Sequence, residues 1–310
     1  MVAILMSTYN GARFLKEQIN SILDQTYSDF TLLIRDDGSS DDTCDVIRSY
    51  TDRRIQLFQE KNLGPCESFF SLIRKAPDAD YLFFSDQDDV WYPEKLEVML
   101  EEIRKYDACP TMVFSDFSMI DETGTQTNAS YSEYASLRVC AGNVGVEQLI
   151  AQPYVFGCAA VINRKLAEFV QTPPSGVEMH DCWISLTAAA VGKLVYLPQK
   201  TIAHRFHSSN VTGKKDQTHP LERMKRLFSG FSVQCRISAL RLHQVNLLLN
   251  YYDGMLLPQV KTLLTDLSSA MSQGRMSTVF KLRELGIGRQ KTINTMFFYL
   301  TILGIKGEIQ

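Results

Sequence analysis

Apolar and polar positions change period repeatedly along the first half of the chain. Residues 2–6 form a short apolar run, and the next apolar positions, Leu15, Ile19, Ile22 and Leu23, recur at helical spacing. The cycle repeats with an apolar run at 30–34 and a helix marked by Val46, Ile47 and Tyr50. A third short strand is predicted at 55–58, followed by a helix carrying Phe69, Phe70, Leu72 and Ile73 and by a run at 81–84 that reads as a strand buried on both faces. Alternation of this kind predicts an α/β fold: a mainly parallel sheet with right-handed crossovers and its strand carboxyl ends on one edge. Beyond it, Pro93 sits at a first helical position before Leu96, Met99, Leu100 and Ile103, and strands are predicted at 112–115 and 193–197. The stretch 125–146 is polar and irregular, as a substrate-covering loop would be. Helical stripes return at 237–249 and 258–271, and an aromatic-rich apolar segment spans 293–305.

The chemistry gathers at the predicted strand ends. Asp86-Gln87-Asp88-Asp89 follows the fourth strand at once, and so much negative charge in one place calls for compensation. A hard divalent cation, Mg²⁺ or Mn²⁺, bridging these carboxylates to a nucleotide diphosphate is one reading; a solvated acidic turn capping the next helix is the other. Ser7, Thr8 and Tyr9 end the first strand and Asp36 and Asp37 the second, either reading a base and ribose or serving as caps and turns. The lack of a Gly-x-Gly-x-x-Gly after the first strand argues against a dehydrogenase-type dinucleotide fold. Asp116 fits a turn carboxylate better than a substrate ligand, because Asp121-Glu122-Thr123-Gly124 follows closely. Gly157, inside an apolar run, marks a bulge or a close backbone approach. His180 and Asp181, just before a helix, are candidate proton acceptors, with N-capping the alternative for Asp181. His204 and His207 stand three residues apart, a spacing that does not by itself imply a shared ligand.

Taken in combination, these stretches resemble glycosyltransferase family 2, inverting enzymes with the GT-A fold. The resemblance rests on Ser-Thr-Tyr-Asn-Gly at 7–11, Gln-Ile-Asn-Ser-Ile-Leu-Asp-Gln-Thr at 18–26, Asp-Asp-Gly-Ser-Ser-Asp-Asp-Thr at 36–43 and Asp-Gln-Asp-Asp-Val-Trp at 86–91, in the family's order. It implies that Asp37 binds the pyrimidine of a nucleotide sugar, that Ser7 and Tyr9 line the same pocket, and that Asp86 lies near the ribose and diphosphate while Asp88 ligates the metal. His-Asp-x-Trp at 180–183 occupies the place of the family's catalytic base, the match falling on Asp181, and Gly157 and Cys158 match a segment bordering the acceptor. Arg-x-His at 205–207 implies that His207 completes the metal shell, with the following loop closing over the diphosphate. The set looks most like bacterial rhamnosyltransferases of cell-wall polysaccharide or O-antigen, which implies dTDP-L-rhamnose as donor and a lipid-linked glycan as acceptor, with UDP-glucose or UDP-galactose as the alternative donor. A GT-A domain over 1–213 and a helical extension over 214–310 follow as the expected organisation.

Two readings from other classes compete. Asp86-Gln87-Asp88-Asp89-Val90 also fits the Asp-x-Asp-x-Val pattern of haloacid-dehalogenase-like phosphatases, although two βα units precede it and no later pair of acidic metal ligands is evident. A non-catalytic nucleotide-sugar-binding protein is the other.

Charge adds one further point. The net charge of −3 conceals a basic tail, since residues from Pro220 onward carry 12 Lys and Arg against 5 Asp and Glu. No nucleic-acid partner is expected; the basic residues at 275–291 beside the aromatic segment instead predict peripheral contact with an anionic membrane, with a helical bundle or a homodimer as alternatives. Seven cysteines without Cys-x-x-Cys spacing, and no basic leader, fit a reduced, cytoplasmic protein at the inner face of a bacterial plasma membrane.

Overall fold

A computed structural model describes residues 1–137, 139–207 and 230–305. The first half follows the predicted alternation: β1 (Val2–Thr8), α1 (Ala12–Leu23), β2 (Phe30–Asp36), α2 (Thr43–Arg48), β3 (Ile55–Gln59), α3 (Pro65–Lys75) and β4 (Tyr81–Ser85). Then come β5 (Val90–Trp91), α4 (Lys95–Arg104), β6 (Thr111–Ile120), β7 (Gln126–Asn128), α5 (Tyr131–Ala135), β8 (Gly142–Asn143) and α6 (Glu147–Ile150). A 3₁₀ turn at Gly157–Ala159 leads into β9 (Ala160–Asn163), α7 (Arg164–Val170), α8 (His180–Val191) and β10 (Lys193–Arg205). The C-terminal region is helical, with α9 (Phe231–Tyr252), α10 (Pro258–Ser272), α11 (Arg275–Glu284) and α12 (Thr292–Leu303).

Strands pair in the order β3-β2-β1-β4-β9-β6-β10-β5, with β7 added beside β6 and β8 beside β10. Neighbours are parallel from β3 to β4 and between β6 and β10, whereas β9 runs antiparallel to both β4 and β6. The mixed sheet keeps the polar ends of β1, β2 and β4 on one edge, where the candidate chemistry lies. Apolar side chains pack on both faces. On one, α1 and α4 cover the sheet with Leu15, Ile19, Leu96 and Met99. On the other, Phe69 and Phe70 of α3 and Trp183 of α8 join one continuous core with Leu242, Val245 and Tyr252 of α9 and Phe298 of α12. The expected boundary at 213 and 214 falls outside the described residues.

Three expectations are corrected. The strand predicted at 112–115 runs on to Ile120, so Asp116 is a mid-strand residue rather than a turn carboxylate. It is buried because its oxygens accept from Ser130 Oγ at 2.6 Å, the Ser132 amide at 3.0 Å and Ser132 Oγ at 2.9 Å. The strand predicted at 193–197 continues through register shifts to Arg205, which puts His204 and Arg205 inside the sheet. Finally, the irregular stretch 125–146 contains β7, α5 and β8, with Ser130 capping α5 by accepting from the Glu133 amide.

Candidate active site

The acidic stretch leaves β4 and turns at once into β5, a two-residue strand that pairs Trp91 with Ile202 and Val90 with Ala203. That pairing carries the end of β10 to the loop. Asp89, buried, is hydrogen bonded to His204 Nδ1 at 2.7 Å and accepts from the Arg205 amide at 3.0 Å. Arg205 Nε donates to the Asp88 carbonyl at 2.8 Å, and its guanidinium also reaches Glu17 at 2.6 Å and the Asp121 carbonyl at 3.2 Å. Two residues further, His207 Nε2 faces Asp88 Oδ2 at 2.7 Å. Sequence elements more than a hundred residues apart thus meet side chain to side chain.

Helix α1 fixes the same loop from the other side. Gln18 Nε2 donates to Ser85 Oγ at 2.7 Å, and Ser85 Oγ donates in turn to the Asp86 carbonyl at 2.9 Å. Ser21 Oγ accepts from the Trp91 amide at 3.0 Å, Gln25 donates to the Tyr92 carbonyl at 2.8 Å, and the Thr26 amide donates to the Pro93 carbonyl at 3.0 Å. Polar residues of α1 and of the turn that follows it therefore satisfy backbone groups at 91–93. Gln87 ties the loop to β1, accepting from the Tyr9 amide at 2.9 Å and donating to the Tyr9 carbonyl at 3.1 Å. A Cβ on Gly11 would stand 2.1 Å from Gln87 Oε1, so a larger residue there would push the Gln87 amide away from Tyr9.

Electrostatics follow from the crowding. Burial, with the charges of Asp89 and Asp88, raises the Asp86 carboxyl to about 7, and Asp181 contributes in the same direction, so the head of α8 faces the same anionic site. Burial and Asp89 also raise Asp88, an effect that His207 and His204 oppose. Burial works against a charge on His204, yet Asp89 holds the imidazole up to about 9. Nearby, burial brings the Lys95 amine down to about 7; it donates to the Cys158 carbonyl and lies 3.7 Å from the Trp91 ring centroid. Nitrogen and oxygen donors on Asp88 and His207, amid carboxylates raised by one another, fit a hard divalent cation. Asp86, Asp89, Cys158 and His204 form a second, deeper group whose donor atoms all lie within 4.8 Å of one another. It underlies the loop, with Cys158 Sγ 3.6 Å from His204 Nδ1.

The predicted donor pocket is built around a residue that sequence inspection did not single out. Arg35, fully buried, pairs with Asp37 and donates to Glu60 at 2.9 Å, to Ser68 Oγ at 3.1 Å and to the Lys61 carbonyl at 2.8 Å. Asp37 further accepts from the amides of Leu63 at 2.8 Å and Gly64 at 2.9 Å, so it shapes the 62–64 turn. Its Oδ2 accepts from one of these donors only, which leaves acceptor capacity on that oxygen. Ser7 Oγ lies 2.7 Å from Ser68 Oγ in the same wall, and Tyr9 is exposed at the mouth. Removing the Asp37 carboxylate leaves Arg35 buried with Glu60 as its remaining carboxylate partner and takes the acceptor from the Leu63 amide, while the Gly64 amide keeps Asn62 Oδ1 at 3.2 Å. Asp37→Ala is therefore expected to cost about 3 kcal/mol of stability, read in urea melts; an unchanged midpoint would show that the pair does not support the fold.

At the opposite side, Asp181 lies in the first turn of α8, whose N-cap is Met179. The capping alternative for Asp181 is thus corrected: its Oδ1 accepts from the Cys182 amide at 2.7 Å and its Oδ2 reaches across to the Gly157 amide at 3.3 Å. His180, the other candidate proton acceptor, is stacked on Phe69 with ring centroids 4.0 Å apart, and burial lowers its basicity. It packs so tightly that a Cβ on Gly157 would stand 2.7 Å from its Nε2, which identifies the glycine as a close approach rather than a bulge. Trp183 is fully buried and stacks on Tyr252 of α9, so the C-terminal helices anchor the helix that presents Asp181.

A family model described as "Glycosyl transferase family 2" matches residues 3–170, over half of the chain. The chain belongs to glycosyltransferase family 2. Among relatives of this transferase, an uncharacterized glycosyltransferase of Rickettsia conorii is 28% identical over 237 residues, covering 74% of this chain. The chain spans only 38% of that longer relative. A dTDP-rhamnosyl transferase of Shigella flexneri is 26% identical over 223 residues, covering 67% of this chain and 73% of its own. The fold is similar to that of a Pyrobaculum calidifontis mannosyltransferase solved with GDP-Man and Mn²⁺, with a TM-score of 0.53 at 18% identity, covering 98% of this chain and 86% of the other. This likeness establishes the GT-A architecture. The phosphatase reading fails on the same grounds, because Asp86 follows the fourth strand of a GT-A sheet.

For a family-2 transferase, two supporting residues were not singled out in the sequence: Arg35 and Lys95 each lie buried against the site. A charged residue inside an apolar stretch was the available signal for Arg35, which follows Leu32, Leu33 and Ile34 directly. The loop following His207, expected to close over the diphosphate, lies outside the described residues.

Proposed function

We propose that this family-2 transferase is a metal-dependent inverting enzyme that moves a hexosyl unit from a nucleotide sugar, and that its donor is dTDP-L-rhamnose and its acceptor a lipid-linked glycan of bacterial cell-wall polysaccharide. The observation that carries the catalytic part is the convergence of Asp88 and His207, facing each other at 2.7 Å, with Asp181 close enough to raise Asp86. Mg²⁺ or Mn²⁺ held by Asp88 and His207 would supply Lewis-acid neutralisation of the leaving diphosphate. Asp37, Ser7 and Tyr9 serve the base end of the donor, and Asp86 stands toward the ribose and diphosphate.

In this reading Asp181 accepts the proton of the acceptor hydroxyl as that oxygen forms its bond to the anomeric carbon. The bond from that carbon to the diphosphate oxygen breaks on the opposite face, and the nucleoside diphosphate departs with the electron pair. Asp181 suits the task because its carboxyl group lies in the first turn of α8 and reaches across to the Gly157 amide at 3.3 Å, at the edge of the site. His180, stacked and buried, shapes the wall and leaves the proton to its neighbour.

The rhamnosyl assignment draws support from the likeness to the Shigella flexneri dTDP-rhamnosyl transferase. A screen of nucleotide sugars that follows nucleotide release with and without EDTA tests both halves. Release from dTDP-L-rhamnose that EDTA abolishes is the expected result; preference for UDP-glucose or UDP-galactose would overturn the donor, and EDTA-insensitive release would overturn the metal. Turnover of no donor, together with nucleotide-sugar binding, would return the protein to the non-catalytic reading.

A further inference from the structure

Helix α12 carries apolar side chains on both its inner and its outer face. Between Thr292 and Leu303 it contains no charged residue. Its inner face buries Phe298, Thr301 and Ile302, and Phe297 meets Phe231 of α9 edge to face at 6.0 Å. Its outer face is exposed: Ile293 is 74%, Met296 63% and Leu300 53% accessible, and Leu303 continues the row. These residues recur at intervals of three, four and three, which places them along one helical stripe. On the preceding helix α11, Met276 and Phe280 are likewise exposed, Phe280 at 62%. A helix whose outward stripe is as apolar as its inward one asks for a second apolar medium.

Charge decides which one. Residues 275–305 carry five basic residues and one acidic residue, Glu284. Lys281 pairs with Glu284 at 3.0 Å and lies 3.8 Å from Asp266, and the Arg289 guanidinium lies 5.3 Å from the Phe298 ring centroid. Basic residues also flank the exposed apolar side chains in sequence, with Arg275 beside Met276, Arg283 one turn after Phe280, and Lys291 two residues before Ile293. A second copy apposed through the same stripe would bring like charges together around the contact. An anionic lipid surface meets the apolar stripe with acyl chains and the basic rim with headgroups. Spanning is ruled out for this helix, since 12 residues reach only about 18 Å against the roughly 30 Å of a hydrocarbon core.

We propose that the outer stripe of α12, with Met276 and Phe280 of α11 as its neighbours, seats this transferase on an anionic membrane surface. Helix α9 packs on both α12 and the Trp183 of α8, so the seat is built into the same core as the helix bearing Asp181. The seat does not depend on which donor is used.

Flotation with vesicles of phosphatidylcholine alone and of phosphatidylcholine with phosphatidylglycerol, at low and high salt, tests the assignment on the full chain. Wild type is expected to float with the anionic vesicles, and less so at high salt. Met296→Glu with Leu300→Glu should lower the bound fraction by at least about tenfold. Arg283→Glu with Lys291→Glu, surface changes that open no core, should remove the preference for anionic lipid while leaving nucleotide release unchanged. Absence of vesicle binding, equal binding to both lipids at both salts, or full binding by the Met296 and Leu300 variant would overturn the proposal. A dimer in light scattering that the same variant dissociates would overturn it too, assigning the stripe to a second copy.

Discussion

Asp88→Ala is expected to abolish sugar transfer, with a fall of roughly 10³-fold or more, while leaving the protein folded. The carboxylate it removes faces His207 at 2.7 Å and stands among others that raise one another. Removing one negative charge from that group lowers the cost of keeping the rest ionised, so Asp86, now raised to about 7, relaxes toward the ordinary carboxylate range. The loop keeps its shape, because Arg205 holds it through the residue-88 carbonyl and Asp89 through His204. The thermal midpoint should therefore be unchanged or slightly raised. Transfer by this variant at the wild-type rate would end the metal-site proposal, and a collapse of the fold would show that the side chain is structural.

Asp181→Asn should lower turnover by roughly 10²-fold or more and leave the donor's apparent affinity in place. Asparagine has nearly the same shape and can still accept from the Cys182 or the Gly157 amide, so the first turn of α8 and its contact with the 3₁₀ turn persist. What it cannot do is take a proton. Steady-state rates against donor and acceptor concentration separate the two effects, and an unimpaired turnover number would move the base elsewhere in the site.

The sheet was legible because its strands advertise themselves. The runs at 2–6, 30–34 and 81–84 lie in the interior of the sheet, where both faces are covered and all positions but Thr31 are apolar or aromatic. The chain after Asp86 was harder to read, for one physical reason: β5 is two residues long, and no periodicity can emerge from two residues. Yet that strand sets the site, since its pairing with Ile202 and Ala203 delivers Arg205 and His207. Likewise β10 passes through Pro198 and two polar residues before resuming, so its second half read as a loop. Asp88, His207 and Asp181 could be named from the motifs, whereas what supports them could not. Arg35 and Lys95 look like ordinary surface cations until burial is known, and Gln18 and Ser21 look like the solvent side of α1, and Gln25 like part of the turn after it, until their partners are seen.

The bond between Asp89 and His204 joins positions 115 apart in the chain. During synthesis, the acidic loop emerges with α1 already available to brace it, but the residues that clamp its far side are made more than a hundred peptide bonds later. Strand β6 gives β10 a parallel partner, and β5 can pair only once β10 is in place. A growing chain therefore carries a half-built centre until the sheet is nearly finished, and competence to turn over a donor becomes a late, cooperative property of the folded whole.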